Sequence, residues 1–363
     1  MRLLHIADVH LGRPFRWLGR ERGSARRAEL RLTLSRAVAL ARERQVDALC
    51  VAGDLFEREN SLPAVGEFLR ETFAALGSTP VLIAPGNHDY YSPGCLYDQT
   101  SWPTNVHVFR GSSLASVPIG DGVVWGTAFV GPERRESPLT LDVQPTGERD
   151  VVLCHADVVQ GGTSVFGPLD PESLVASGFR FALLGHVHRG QVDEGHRFAY
   201  PGSLEPLDTS EGGPRWALLV DVTGDGVAIE HIPIARRQVR CEEIDVSGVH
   251  TRDEWERLVS ERAPSWADAT VKLRLMGTLR GELVLSPELV ADSLSDYDVD
   301  LEITARPEQD LSAVLRQQTT LGAFARAASE RMAEASDPGE RAHWEDVLMV
   351  GLAAFRGQEA MLR

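Results

Sequence analysis

Leu3-Leu4-His5-Ile6-Ala7-Asp8-Val9-His10 decides the fold of this chain. A short, mostly apolar run passes directly into an aspartate and a histidine, and the pattern recurs. Ala48–Ala52 leads into Gly53 and Asp54, Val81–Ala84 into Asn87, His88 and Asp89, Val151–Cys154 into His155, and Phe181–Leu184 into Gly185, His186, Val187 and His188. Strands covered on both faces need short, nearly uniform apolar runs of this kind. Between the first two runs Leu30, Leu34, Ala37, Val38 and Ala41 repeat at helical spacing, with Ser24 as the expected N-cap. Val65, Phe68, Leu69 and Leu76 do the same after Pro63. Strands alternating with helices predict a layered α/β domain. In such sheets sites form at the carboxyl ends of strands, where all five polar clusters stand.

The donors in these clusters are aspartate, asparagine and histidine, with no thiolate. That mixture suits manganese, iron or zinc better than the all-oxygen sites of magnesium or calcium. A carboxylate can bridge two ions, a neutral asparagine completes a shell without adding charge, and two neighbouring ions can clamp a phosphoryl group for in-line attack. Taken singly, Asp8-Val9-His10 or Gly86-Asn87-His88-Asp89 also reads as a strand-end turn. Five such clusters in order do not.

The chain has 363 residues, 43% hydrophobic and 25% charged, which excludes a disordered chain and predicts two or three domains. A net charge of −16 argues at first against nucleic acid, but the first 50 residues carry eleven arginines against five acids. Arg13, Arg16, Arg20, Arg22, Arg26 and Arg27 directly follow the first ligand pair, where they can meet phosphates. Phe15 and Trp17 interleave and are expected to stack on bases. A solvated, arginine-rich helix entry is the competing reading, supported by Lys272 being the only lysine. No apolar run approaches the length of a membrane span and no apolar leader follows Met1, so a cytoplasmic protein is expected. Cys50, Cys95, Cys154 and Cys241 form no Cys-x-x-Cys pair and read as free thiols. His5, His107, His196, His231, His250 and His343 read as surface or hydrogen-bonded residues, His5 also as support behind the ligands.

From Trp216 the strands lengthen and become more polar, and a helix–strand–helix–strand run follows, near Arg252–Arg262, Val271–Leu279, Pro287–Leu294 and Asp298–Ala305. A boundary is expected at Ala235-Arg236-Arg237. Two amphipathic helices, Leu311–Met332 and His343–Phe355, close the chain, separated by Asp337-Pro338-Gly339-Glu340, which reads as an N-cap, a proline at the first helical position and a capping-box acid.

The segments Leu4-His5-Ile6-Ala7-Asp8-Val9-His10-Leu11-Gly12, Gly53-Asp54-Leu55-Phe56, Gly86-Asn87-His88-Asp89, Cys154-His155, Gly185-His186-Val187-His188 and Tyr200-Pro201-Gly202-Ser203 resemble the calcineurin-like metallophosphoesterase superfamily. Within it they resemble the SbcD nuclease subunit family, especially its YhaO-like branch. The resemblance implies a layered metallophosphoesterase β-sandwich core flanked by helices over residues 1–235, a smaller α+β capping domain over 236–306 and a C-terminal helical partner-docking region over 307–363. It implies two divalent ions, manganese first, with iron, zinc or magnesium as alternatives. Asp8, His10, Asp54 and His188 would hold one ion, and Asp54, Asn87, His155 and His186 the other. His88 would face the phosphate, and Asp89 would orient His88 or stabilise its turn. The implied activity is DNA exo- or endonuclease action in DNA repair, with DNA contacts at Arg13, Arg16 and Arg20, an SbcC-type coiled-coil ATPase as partner, and a homodimer as a further expectation. A small-molecule phosphodiesterase or phosphatase, and an inactive scaffold, are the alternatives. The extra domain and tail argue against the first, and the complete ligand set against the second. One position departs from the family: Glu57 stands where well-studied nuclease members often carry histidine, and a carboxylate there is expected to repel a phosphate backbone.

Overall fold

The computed structural model describes residues 1–60, 62–139, 143–279, 287–307 and 311–355. In chain order the strands of its main body are β1 (Arg2–Ile6), β2 (Ala48–Val51), β3 (Val81–Ile83), β4 (Val106–Val108), β5 (Ala115–Ile119), β6 (Gly122–Gly126), β7 (Val151–His155), β8 (Asp157–Val158), β9 (Pro168–Leu169), β10 (Phe181–Gly185), β11 (Gln191–Asp193), β12 (Phe198–Tyr200), β13 (Trp216–Val222) and β14 (Val227–Pro233). They build two six-stranded sheets, ordered β14-β13-β1-β2-β3-β4 and β11-β12-β10-β7-β6-β5. β1 to β4 run parallel, linked in part by helices α1 (Gly19–Glu43) and α2 (Pro63–Ala74). β6, β7, β10 and β12 are the parallel part of the second sheet.

Alternation along each strand explains why the runs are apolar throughout. Leu4 and Ile6 of β1 pack on Leu30, Leu34, Ala37 and Val38 of α1. Leu3 and Ala7 face the other way, into a layer shared with Val151, Leu153, Phe181 and Leu183 of the second sheet. Val152, Cys154, Ala182 and Leu184 then line a third core with Leu174 and Phe179. The central strands of both sheets are therefore covered on both faces, and the ligand-type residues gather at their carboxyl ends. His5, expected at the surface or as support, is fully buried in β1, and burial pushes its pKa down to about 3.

Helix α1 begins at Gly19, not after Ser24. Arg20, Glu21 and Arg22 are good helix formers and extend it backwards, leaving Ser24 inside. Gly23 is accommodated there because a Cβ would lie 3.3 Å from the carbonyl oxygens of Pro14 and Phe15. The remaining helices are α3 (Leu96–Gln99), α4 (Pro171–Ala176), α5 (Arg252–Arg262), α6 (Pro287–Ser293), α7 (Leu311–Arg316), α8 (Thr320–Glu334) and α9 (Pro338–Phe355). β15 (Gln238–Asp245), β16 (Ala269–Met276), β17 (Thr278–Leu279), β18 (Asp298–Ile303) and β19 (Arg306–Pro307) are the other strands among the described residues. β15, β16 and β18 form a three-stranded sheet, and β17 pairs with β19.

The chain divides into two compact units. Met1–Ile244, Glu256–Leu275 and Ser286–Ile303 form the first, and Asp245–Trp255, Met276–Leu285 and Thr304–Arg363 the second. Within the second, α8 and α9 bury Ala325, Ala328, Leu348 and Leu352 together with Val314 of α7. Asp337 Oδ1 accepts from the backbone N–H groups of Gly339 and Glu340 at 2.7 and 2.9 Å, and Glu340 Oε2 reaches back to the Ser336 N–H at 2.9 Å. The apolar stripes of the tail are thus satisfied at least partly by one another. Residues 308–310 and 356–363 of the expected docking region lie outside the described residues. Among the described residues no helix is long and apolar enough to cross a membrane.

Candidate metal centre

The loops that leave β1 and β2 run side by side. Asp8 N–H donates to Gly53 O at 3.1 Å, His10 N–H to Asp54 O at 2.9 Å and Leu11 N–H to Leu55 O at 3.0 Å. Asp8, His10, Asp54 and His186 all adopt left-handed backbone, with φ of 52, 50, 49 and 107°. Each such conformation disfavours a non-glycine residue by roughly 1–2 kcal/mol, so the surrounding structure holds these ligand-type residues against local preference. Gly53 must be glycine: its φ is +85° and a Cβ would stand 2.5 Å from His155 Nδ1.

The side chains converge above these loops. His10 Nε2 and His188 Nε2 stand 3.2 Å apart. His10 Nδ1 lies 2.9 Å from Glu57 Oε1, and His188 Nδ1 2.7 Å from Glu211 Oε1. With each Nδ1–H donated to a carboxylate, the two Nε2 lone pairs face one another, an arrangement that a cation relieves. Asp54 Oδ2 lies between two rings, 3.6 Å from His10 Nε2 and 3.4 Å from His155 Nε2. Asp8 Oδ1 is 3.9 Å from His188 Nε2. His155 Nδ1 bonds Ala52 O at 2.9 Å, leaving Nε2 beside Asn87 Oδ1 at 3.0 Å. His186 donates its backbone N–H to the Asp8 carboxylate at 3.2 Å, and its ring centroid lies 5.2 Å from that of His155. Three donor sets, Asp8/His10/His188, Asp8/Asp54/His155 and His10/Glu57/His88, each gather within 4.8 Å. Of the seven expected ligands, Asp8, His10, Asp54, His155 and His188 supply atoms to these sets, Asn87 joins through His155, and His186 lies alongside through its backbone N–H and its ring.

Electrostatics follow burial and pairing. Burial holds His155 down to about 4 and lowers His10, which keeps both neutral as ligands. Burial works against charge on Asp54 too, yet His155, His10 and His88 hold its carboxyl below the usual range. Burial opposes the charge of Glu57, but its bonds to His10 and His88 carry it well below that range. His88 moves up to about 9, chiefly through its hydrogen bond to Glu57.

Several expectations change here. Asp89 does not hydrogen-bond the His88 ring. Its buried carboxylate accepts from the N–H groups of Gly86, Leu55 and Asp54 at 2.7, 2.7 and 3.2 Å and from Tyr97 OH at 2.5 Å, tying the β2 and β3 loops together. The His88 ring is held instead by Glu57 Oε2, 2.8 Å from its Nδ1. The Glu57 charge is therefore directed at two histidines, not at open space where a phosphate would pass. Phe15 is buried in the core under Arg26, whose guanidinium carbon lies 5.5 Å from its ring centroid, so it offers no face to a base. Arg26 is buried with Glu29 and Pro206 O, and Arg22 pairs with Asp298 at 3.7 Å. Arg13 lies 3.3 Å from Glu57 Oε1, while Arg16, Arg20 and Trp17 remain exposed.

Glu211 was missed in the sequence. It sits in a polar loop with no motif around it, and also accepts from Ser203 Oγ at 2.8 Å. Its one sequence-level pointer is Tyr200-Pro201-Gly202-Ser203, where Gly202 has φ +80° and a Cβ would stand 2.6 Å from His188 O.

The family model for calcineurin-like phosphoesterases matches residues 1–190. The chain is 30% identical over 278 residues to the DNA double-strand break repair protein Mre11 of Aeropyrum pernix, covering 68% of this chain and 64% of that protein. It is 27% identical over 248 residues to the metallophosphoesterase YhaO of Bacillus subtilis, covering 62% and 59%. It is 26% identical over 292 residues to the SbcD component of the nuclease SbcCD from Rhodobacter capsulatus, covering 65% and 70%. The chain thus spans about three fifths of the length of the first two relatives.

Proposed function

The chain belongs to the calcineurin-like phosphoesterase family, and from that premise we propose that it is a two-metal DNA nuclease, acting exo- or endonucleolytically in DNA repair beside an SbcC-type coiled-coil ATPase. Asp8, His10, Asp54 and His188 would hold one divalent ion, and Asp54, Asn87, His155 and His186 would hold the other. The observation that carries this reading is the pair of imidazole Nε2 atoms 3.2 Å apart, each ring held from behind by a carboxylate. Mixed nitrogen and oxygen donors fit manganese first, with iron, zinc or magnesium as alternatives. Bound there, such ions supply positive charge to the phosphoryl oxygens and lower the pKa of a water.

The chain's own groups do the rest. His88, with 42% of its side chain exposed and its Nδ1 on Glu57, turns Nε2 toward the phosphate. It stabilises charge developing there and can give its proton to the leaving oxygen. Arg16 and Arg20 contact the DNA backbone, and Trp17, 38% exposed, offers a stacking face. Arg13 adds less, because Glu57 already engages it. The relatives named for double-strand break repair and for SbcCD support DNA as substrate and an SbcC-type ATPase as partner. We assign nuclease, capping and docking roles to residues 1–235, 236–306 and 307–363. The buried thiols of Cys50, Cys95 and Cys154 accord with the cytoplasm.

The test supplies manganese with double-stranded DNA ends, hairpins and a small chromogenic phosphodiester, with and without the ATPase and ATP. Release of nucleotides or cut hairpins, increased by the ATPase, is the expected result. Hydrolysis of the small ester with DNA untouched favours a small-molecule phosphodiesterase. Two bound ions with no hydrolysis of any substrate favours a scaffold.

A further inference from the structure

We propose that Glu57 is a positioning residue that sets two histidines of the centre with one carboxylate, His10 through Oε1 and His88 through Oε2. The inference rests on the two-metal reading above and goes further, since Glu57 is where the sequence departs from the nuclease pattern.

The geometry is specific. The Glu57 oxygens lie 2.9 Å from His10 Nδ1 and 2.8 Å from His88 Nδ1. The two rings stand edge to face, with centroids 4.8 Å apart and planes at 78°. Only 13% of the Glu57 side chain is exposed, and Arg13 closes its outer side at 3.3 Å from Oε1. The backbone prepares this position from both directions. Glu57 N–H donates to Leu11 O at 2.9 Å, joining the β1 loop that carries His10. The next residue, Arg58, donates its N–H to His88 O at 3.0 Å, joining the β3 loop that carries His88. Glu57 therefore sits where two strand-end loops meet, with one oxygen for each.

The chemistry follows from donor counting. A carboxylate has only acceptors, so it can receive Nδ1–H from both rings at once. Each ring then presents Nε2 forward: His10 toward His188 and Asp54, His88 toward the open side. Glutamine in its place has one acceptor and one donor group. It can receive one Nδ1–H but must give an N–H to the other ring, which then carries its proton on Nε2. If that ring is His10, its Nε2 no longer has a lone pair to offer an ion; if it is His88, the ring keeps its Nε2 proton but loses the carboxylate that supports its charge. Alanine releases both rings. Loss of a group that orients a metal ligand typically weakens metal binding or activity by about 10–100-fold.

The full-length protein and its Glu57→Ala and Glu57→Gln variants are titrated with manganese alone by calorimetry. kcat and KM on the small chromogenic phosphodiester are then measured at saturating manganese, together with His88→Ala and the Glu57→Ala/His88→Ala double variant. Expected are about 10–100-fold weaker manganese binding at one of two sites in Glu57→Ala and a fall in kcat with KM little changed. With manganese saturating, the double variant should be no slower than His88→Ala, because Glu57 acts through His88 in the chemical step. Glu57→Gln should retain part of one function, binding or rate. Thermal melting in chelator within a few degrees of wild type separates these effects from misfolding. If the Glu57 variants bind manganese and turn over as wild type does, the proposal is overturned. Multiplicative rate losses in the double variant overturn it too, since the two residues would then act independently. Wild-type protein that neither binds manganese nor hydrolyses the ester overturns the two-metal reading itself, and this proposal with it.

Discussion

The two halves of the histidine–aspartate cluster meet at Asp54 but are backed differently. In the first, His10 and His188 each lean on a carboxylate, Glu57 and Glu211. In the second, His155 leans on a backbone carbonyl, Asn87 brings a neutral oxygen, and the His186 ring lies against Phe166 with centroids 4.7 Å apart. Both halves draw on imidazole and carboxylate, but the charge differs: the first has Asp8 and a carboxylate behind each imidazole, the second a neutral amide and a backbone carbonyl. A carboxylate behind an imidazole makes it a more basic ligand. On the two-metal reading proposed above, the first half should hold its ion more tightly, and a chelator should empty the second half first.

The strongest break in this comparison is Asp54→Ala, which removes the shared ligand. Both ions should be lost and hydrolysis should fall to background; metal analysis showing one ion retained at full occupancy would contradict the bridging role. His88→Ala comes next. It should keep both ions yet lose about 10²–10³ in rate, the scale for one charge-stabilising donor. Loss of bound metal in that variant would move His88 into the ligand set. Glu211→Ala sharpens the contrast within the first half: calorimetry with manganese should show one site weakened about 10–100-fold and the other unchanged. Equal weakening of both sites would erase the distinction between the halves.

Two further changes leave both halves intact and calibrate them. Replacing Arg16 and Arg20 together should flatten the salt dependence of DNA binding by up to about two units of slope, with small-ester hydrolysis preserved. An unchanged slope would mark those arginines as solvated surface. The smallest effect concerns His5, which is buried outside the centre. Its pKa of about 3 in the fold lies below the unfolded value, so the unfolded chain takes up a proton that the folded chain does not. Its contribution is complete above about pH 6.5 and is lost as pH falls toward 3. His5→Leu should therefore flatten the acid limb by about 1.4 kcal/mol per pH unit below pH 6. Chelator-treated protein melted at pH 7, 6, 5 and 4 shows whether the two slopes differ; identical slopes would discount His5.

The strands were legible because both faces of Leu3–Ala7, Ala48–Ala52 and Val151–Cys154 must be apolar, and the ligand-type residues because they follow those strands directly. The tail cap at Asp337 was legible for a similar reason: its hydrogen-bond partners are two or three residues away. What remained hidden depends on distant partners. Glu211 reaches His188 across 23 residues, and Glu57 reaches His88 across 31. Phe15 reads as exposed among arginines until α1 is seen to fold over it. Asp89 reads either as a partner of His88 or as a stabiliser of its turn, and its carboxylate accepts both from Gly86 N–H within the turn and from the distant N–H groups of residues 54 and 55.

The register of β1 also has a consequence for how the chain emerges during synthesis. β1 pairs on one side with β2, within the first 51 residues, but on the other with Trp216–Val222. At about 5–20 residues per second, the first strand is finished roughly ten to forty seconds before its second neighbour exists. Throughout that interval its far edge is an open template for pairing with another nascent chain. His188 is also made late, so its contact with His10, 178 residues earlier, cannot form before then. Crowding of ribosomes on one message, or a shortage of chaperones that cover exposed strand edges, should therefore depress the yield of this protein more than the length of its chain alone would suggest.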